Sequence, residues 1–198
     1  MELSDREYST LQQMVEQGLA DASRAISSLT TGQIQLNSPQ LTWVQLSAMP
    51  RIAGVPDSVV VAVYLGIEGD LDGHLMLLFT EEGACRTVDL LMGQSLGTTP
   101  GLDDLALSAL AETGNICGSS FLNAISDRTG LRVVPTTPAV VIDMAGAILE
   151  SVVTDLYMNG DEVLMVETGF NGLVPGHFLL MPNQDSMAKL LAALEALL

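Results

Sequence analysis

The chain has 198 residues, 48% of them apolar, with 24 acidic against 7 basic side chains and a formal net charge of −17. That apolar content excludes a disordered chain, and the charge argues against nucleic acid and anionic membrane surfaces as partners. No run approaches the ~20 apolar residues of a bilayer span, and the start MELSDRE lacks the basic and apolar regions of a secretory signal, so a cytoplasmic protein is expected.

Ser4 with Glu7 three residues on forms a capping-box pattern that opens a long helix, running to about Thr30 and stopping at Gly32. Strands are predicted over 41–46, 59–67 and 74–79, and a helix over 81–92. The Gly97-Thr98-Thr99-Pro100-Gly101 linker follows. Asp103 or Asp104 caps a second long helix that ends at Gly130, a residue suited to the left-handed position after a helix. Further strands are predicted over 140–144, 152–158, 162–168 and 177–180, with Asn159-Gly160 as a tight hairpin turn between two of them. A helix over 184–198 closes the chain.

The chain also repeats itself. Ser9-Thr10-Leu11 returns as Ser108-Ala109-Leu110, Ala25-Ile26-Ser27 as Ala124-Ile125-Ser126, and Pro39 as Pro138, all 99 residues on. Gly66, Gly69, Gly73 and His74 return as Gly169, Gly172, Gly176 and His177, all 103 residues on, which implies a four-residue insertion in the second copy. One domain over 1–198 is expected, built from repeats 1–96 and 102–198. Its fold class is α/β, a mostly antiparallel sheet with pseudo-twofold symmetry covered on one face by two long helices.

The second long helix holds the informative string, LALSALAETGNICGSSFLNAISDRTG from Leu105 to Gly130. Glu112 and Asn115 are three apart and share a helix face. Leu110, Phe121 and Ile125 keep a helical rhythm and are expected in the core, with Glu112 and Asn115 side by side in solvent. Gly114 and Gly118 each cost about 1 kcal/mol in a helix relative to alanine. They are tolerable where another backbone or a partner must come close, and they would leave the Glu112 face low and accessible.

A Glu and an Asn one turn apart describe many exposed helix faces; the surrounding string is more specific. Glu112-Thr113-Gly114-Asn115, followed by 22 residues and then Pro138, resembles the motif of the CheC/CheX/FliY chemotaxis phosphatases. The tandem halves and the longer string E-x-G-N-I-x-G-S-x-x-N-A-x-S-x-x-T-G are similar to CheC in particular, over nearly the whole chain. The resemblance implies hydrolysis of the aspartyl phosphate on a CheY-type response regulator. Asn115 would orient the attacking water and Glu112 would dock onto the regulator's lysine. No cofactor of the chain's own is implied, and magnesium is expected on the phosphorylated regulator. A CheD-like deamidase is a further partner the resemblance implies. The alternative is a FliM-like or CheD-binding scaffold without strong catalysis.

The first repeat departs from the motif. With the 99-residue offset, Gln13 stands at the Glu112 position and Glu16 at the Asn115 position. An alternative register matches Glu16 and Gly18 to Glu112 and Gly114, but then Leu19 replaces the asparagine. Neither register gives Glu-x-x-Asn. The two histidines, His74 and His177, occupy equivalent positions without Cys or His at metal spacing, so strand packing is the expected role and no metal site is assigned. Cys117 reads as a buried packing thiol. Cys85 lies too far away in sequence for a local redox motif. Met76, Met144, Met158 and Met165 are expected in the core.

Overall fold

The computed structural model describes residues 3–52, 55–156, 161–170, 174 and 176–196. Helix α1 spans Asp5–Leu29, and its capping box is formed. Glu7 N–H donates to Ser4 Oγ at 3.3 Å, and the Glu7 carboxylate accepts from Ser4 N–H at 2.7 Å. The hydrogen bonds from Ser4 hold the Glu7 carboxyl below its ordinary pKa. Strand β1 (Gln40–Gln45) leads into a 3-10 turn, Leu46–Arg51, then β2 (Val59–Gly69), β3 (Gly73–Thr80) and α2 (Glu81–Leu91). The second half runs α3 (Asp104–Thr129), β4 (Val133–Pro135), β5 (Ala139–Met144), α4 (Ala145–Leu156), β6 (Glu162–Gly169), β7 (Gly176–Pro182) and α5 (Gln184–Glu195).

The seven strands make one antiparallel sheet in the order β1-β6-β7-β3-β2, with β5 and β4 side by side along the far edge of β2. Shifting by 99 residues maps the start of α1 onto α3 and β1 onto β5; shifting by 103 maps β2 onto β6, β3 onto β7 and α2 onto α5. Under that correspondence the sheet reads the same from either edge, with the β3–β7 pair at the pseudo-twofold centre. The first strand of each half is added to the other half's sheet: β1 pairs β6, and β5 pairs β2.

Alternation along the strands divides the core in two. Val61, Val63, Leu65, Leu75, Leu77 and Phe79 face the long helices, while Val60, Ala62, Met76 and Leu78 face the other way. A sheet buried on both faces calls for continuous apolar runs, which is what the 59–67 stretch displays. α1 and α3 lie together on one face and meet closely. A Cβ on Gly18 would sit 2.9 Å from the Phe121 ring.

The opposite face corrects the predicted strand over 152–158. Residues through Leu156 form α4 instead. Ala145, Ile148, Leu149, Val152, Val153 and Leu156 keep a 3.6-residue period, and that apolar stripe covers Met76, Leu179 and Met181. The β-branched pair Val152-Val153 favours strand locally, but burial of the stripe outweighs it. The Asn159-Gly160 turn and Met158 lie outside the described residues. Met76 and Met165 are core residues, whereas Met144, expected in the core, is exposed because β5 lies at the edge of the sheet. No helix among the described residues is long and apolar enough to cross a membrane.

Candidate active site

α3 is anchored at both ends. Asp103 Oδ1 accepts from Ala106 N–H at 2.9 Å, and Gly130 closes the helix in the left-handed region at φ 73°. Its poor helix formers are satisfied locally. Thr113, Ser120 and Thr129 turn their hydroxyls onto the carbonyls of Ala109, Ile116 and Ile125 four residues back, at 2.7–2.8 Å.

The two glycines serve the sheet, and this corrects the expectation that they lower the accessible face. A Cβ on Gly114 would fall 2.4 Å from Val63 Cγ1, so α3 rests directly on β2 there. Gly118 faces Leu65 and Leu75 at 3.4–3.6 Å, an ordinary contact distance. Val63 and Leu65 are therefore the floor of this helix. Sequence reasoning missed that role; its signal was a pair of glycines at helical spacing together with an all-apolar strand.

With Gly114 pointing at the sheet, about 100° of rotation per residue sets the other directions. Glu112 sits near the crest and is exposed, while Asn115 lies on one flank and is half-buried. The opposite flank packs on α1, where Cys117 Sγ lies 3.9 Å from the Ala22 carbonyl oxygen. Leu110, Phe121 and Ile125 are buried as expected. No side-chain hydrogen bond joins Glu112 or Asn115 to another described residue, so both are free to engage a visiting group. Asn115 is less exposed than expected because it occupies the flank nearer the sheet edge. Pro138 stands immediately before β5, the strand beyond β2.

In α1 the burial pattern selects the 99-residue register. Leu11, Met14, Val15, Gly18, Leu19, Ala22 and Ile26 are buried where Leu110, Thr113, Gly114, Cys117, Gly118, Phe121 and Ile125 are. Leu19 is 2% exposed, so the alternative register puts its replacement for asparagine in the core. Gln13 and Glu16 are exposed at the Glu112 and Asn115 positions, and Glu16 accepts from Gln12 Nε2 at 3.0 Å.

The histidines sit apart on the sheet, opposite Met181 and Leu78 across the β3–β7 ladder. His74 Nδ1 is 2.9 Å from the Tyr64 hydroxyl, and His177 Nδ1 is 3.0 Å from a Glu167 carboxylate oxygen. Burial pushes the Cys117 thiol up to about 12. Burial raises Cys85 as well, helped by the nearby Asp89 and Glu81 carboxylates, so neither cysteine is disposed to nucleophilic work.

The CheC-like family model matches residues 105–142, the stretch from α3 through most of β5. Over 98% of this chain and 96% of its own length, the Bacillus subtilis (strain 168) "CheY-P phosphatase CheC" is 27% identical. Thermotoga maritima FliY superposes with a TM-score of 0.75 at 21% identity, covering 99% of both chains. The H. pylori FliG–FliM complex contains a chain that superposes at 0.68 with 13% identity, covering 96% of this chain and all of that one. The chain is thus similar to the CheC-like family in the segment that carries Glu112 and Asn115, and similar over its full length in sequence to CheC and in fold to FliY.

Proposed function

We propose that the chain dephosphorylates the aspartyl phosphate of a CheY-type response regulator, with its one working site at Glu112 and Asn115 in the second half, residues 102–198. The observation carrying this reading is the pair itself. A carboxylate and an amide stand one turn apart on the open side of a rigidly floored helix, with no partner among the described residues. The name of the B. subtilis relative supplies the substrate class.

The chemistry suits these groups. In-line phosphoryl transfer needs positioning and charge stabilisation more than covalent help. The Asn115 amide can accept from and donate to one water, aligning it behind the phosphorus without titrating. Glu112 supplies a charge-assisted contact to a lysine beside the regulator's phosphate and so sets the docking register. The magnesium belongs to the regulator, and this chain contributes no ligand to it. Gln13 and Glu16 make no second site, since a carboxylate at the Asn115 position repels phosphate.

The deciding experiment is phosphate release from a panel of phosphorylated response regulators, with and without the protein. Acceleration for at least one regulator, lost in Asn115→Ala, supports the reading. Binding without acceleration supports a second reading, a regulator- or CheD-binding scaffold. The superposition on FliM and the missing site in the first half favour that alternative.

A further inference from the structure

The two edges of the sheet are equivalent by symmetry and differ in chemistry. At the first-half edge, Gln45 of β1 pairs with Glu162 of β6, and Gln45 Nε2 donates to the Glu162 carboxylate. Gln184 Nε2 also donates to the Glu162 carbonyl at 3.3 Å, and Trp43 of β1 packs against the core. At the second-half edge the corresponding pair is Met144 with Val59, and Ile142 replaces Trp43. All three are left in solvent: Val59 is 46%, Ile142 46% and Met144 44% exposed.

These side chains lie on the face that carries α3. Val140, the partner of Val63 beneath Gly114, packs against the helix-side core, so Ile142 and Met144, two and four residues on, point to the same side. They form an uncharged apolar ledge on the flank of α3 that carries Asn115, on a chain whose net charge is −17. A specific protein interface buries on the order of 1,200–2,000 Å² around a desolvated apolar anchor. One glutamate and one asparagine cannot supply that. We infer that the Val59–Ile142–Met144 ledge is the affinity anchor for the phosphorylated receiver domain, taking an apolar side chain from the receiver's surface beside its phosphate. This rests on the proposed phosphatase reading and gives it a specificity determinant. The ledge belongs to the working half, and the idle half has a polar, closed edge in its place.

The test transplants the first-half edge. Val59→Glu with Met144→Gln recreates the Glu162–Gln45 pair, which this fold already accommodates at the symmetric position. Affinity for a receiver domain activated with beryllofluoride and magnesium is measured beside KM and kcat of phosphate release, with the oligomeric state followed in parallel. The expected result is a roughly ten-fold weaker Kd and a matching rise in KM, with kcat at saturation retained. Ile142→Asp should act in the same direction. If the transplant leaves Kd and KM unchanged while Asn115→Ala abolishes turnover, the inference fails and the phosphatase reading stands. If it changes only self-association, the ledge is a contact between copies and the inference is overturned. Receiver binding that depends on the ledge without phosphate release supports the anchor and overturns the phosphatase. No binding by the unmodified protein overturns both.

Discussion

Helices α1 and α3 occupy the same place in the two halves, yet they meet the sheet differently. α1 carries buried Val15 and Leu19 where α3 carries Gly114 and Gly118. The bulkier pair fills the core. The glycine pair gives up about 2 kcal/mol of helix propensity relative to alanine and brings one backbone down onto Val63 and Leu65. The exposed positions differ in parallel, Gln13 and Glu16 against Glu112 and Asn115. A helix held close on a strand has little freedom to shift, a fixity that the water-positioning role proposed for Asn115 requires. α1, to which no site is assigned, has no such requirement and keeps side chains that fill the core.

The largest effect expected is on the pair itself. Asn115→Ala should lower turnover about 10²–10³-fold, roughly 3–4 kcal/mol, with unchanged thermal unfolding and most regulator binding retained. Single-turnover phosphate release distinguishes this from Glu112→Ala, whose loss should appear chiefly as weaker binding. Full activity in Asn115→Ala together with its loss in Glu16→Ala would reverse the roles assigned to the two helices.

Next comes the floor. Gly114→Ala drives a methyl into Val63 and should destabilise the fold by about 1–3 kcal/mol in denaturant titration, overpacking outweighing the propensity gain. Gly118→Ala, with ordinary contact distances, should be neutral or stabilise by up to about 1 kcal/mol. Equal effects from the two would mean that α3 does not sit on β2 as described.

Asp89 of α2 holds the loop that leads into α3. Its buried carboxylate accepts from the N–H groups of Gly97 at 2.6 Å and Thr99 at 2.8 Å, and from the Thr99 hydroxyl at 2.6 Å. Burial by itself raises this carboxyl, but the hydrogen bonds from Thr99, Gly97 and Thr98 outweigh it and leave the pKa below its ordinary value of 3.8. Stability from this group is thus fully present above the unfolded-state pKa and is lost as pH falls through the lower folded-state value. Asp89→Asn should cost about 1.5–3 kcal/mol at neutral pH, and the gap from the unmodified protein should narrow only under acid below pH 3.8. The smallest effects are expected from Gln13→Ala and Glu16→Ala, which should leave both turnover and unfolding within error. A substantial loss of activity in either would give α1 a function.

Much of this was legible in the sequence because the signals are local or repeated. The Ser4–Glu7 box, the left-handed Gly130 and the two constant offsets each have a short-range cause. The Glu112–Asn115 pair stands out in the sequence through its surrounding string, and the fold places both on the outer side of α3. What was not legible depended on long-range burial. Val152-Val153 reads as strand until the face it covers is known, and Met144 reads as core until β5 proves to be an edge. Gly114 looks like an invitation to a partner until Val63, fifty-one residues earlier, is found beneath it.

The exchange of first strands between the halves has a consequence for which parts of this chain can be spared. The helix that carries the proposed site belongs to the second half, but Val63, Leu65 and Leu75 beneath it belong to the first. β5, the strand on the Asn115 flank, has β2 of the first half as its partner. A polypeptide reduced to 102–198 would keep every letter of the motif and lose the surface that holds it still. The first half is thus the foundation of the helix that carries Glu112 and Asn115.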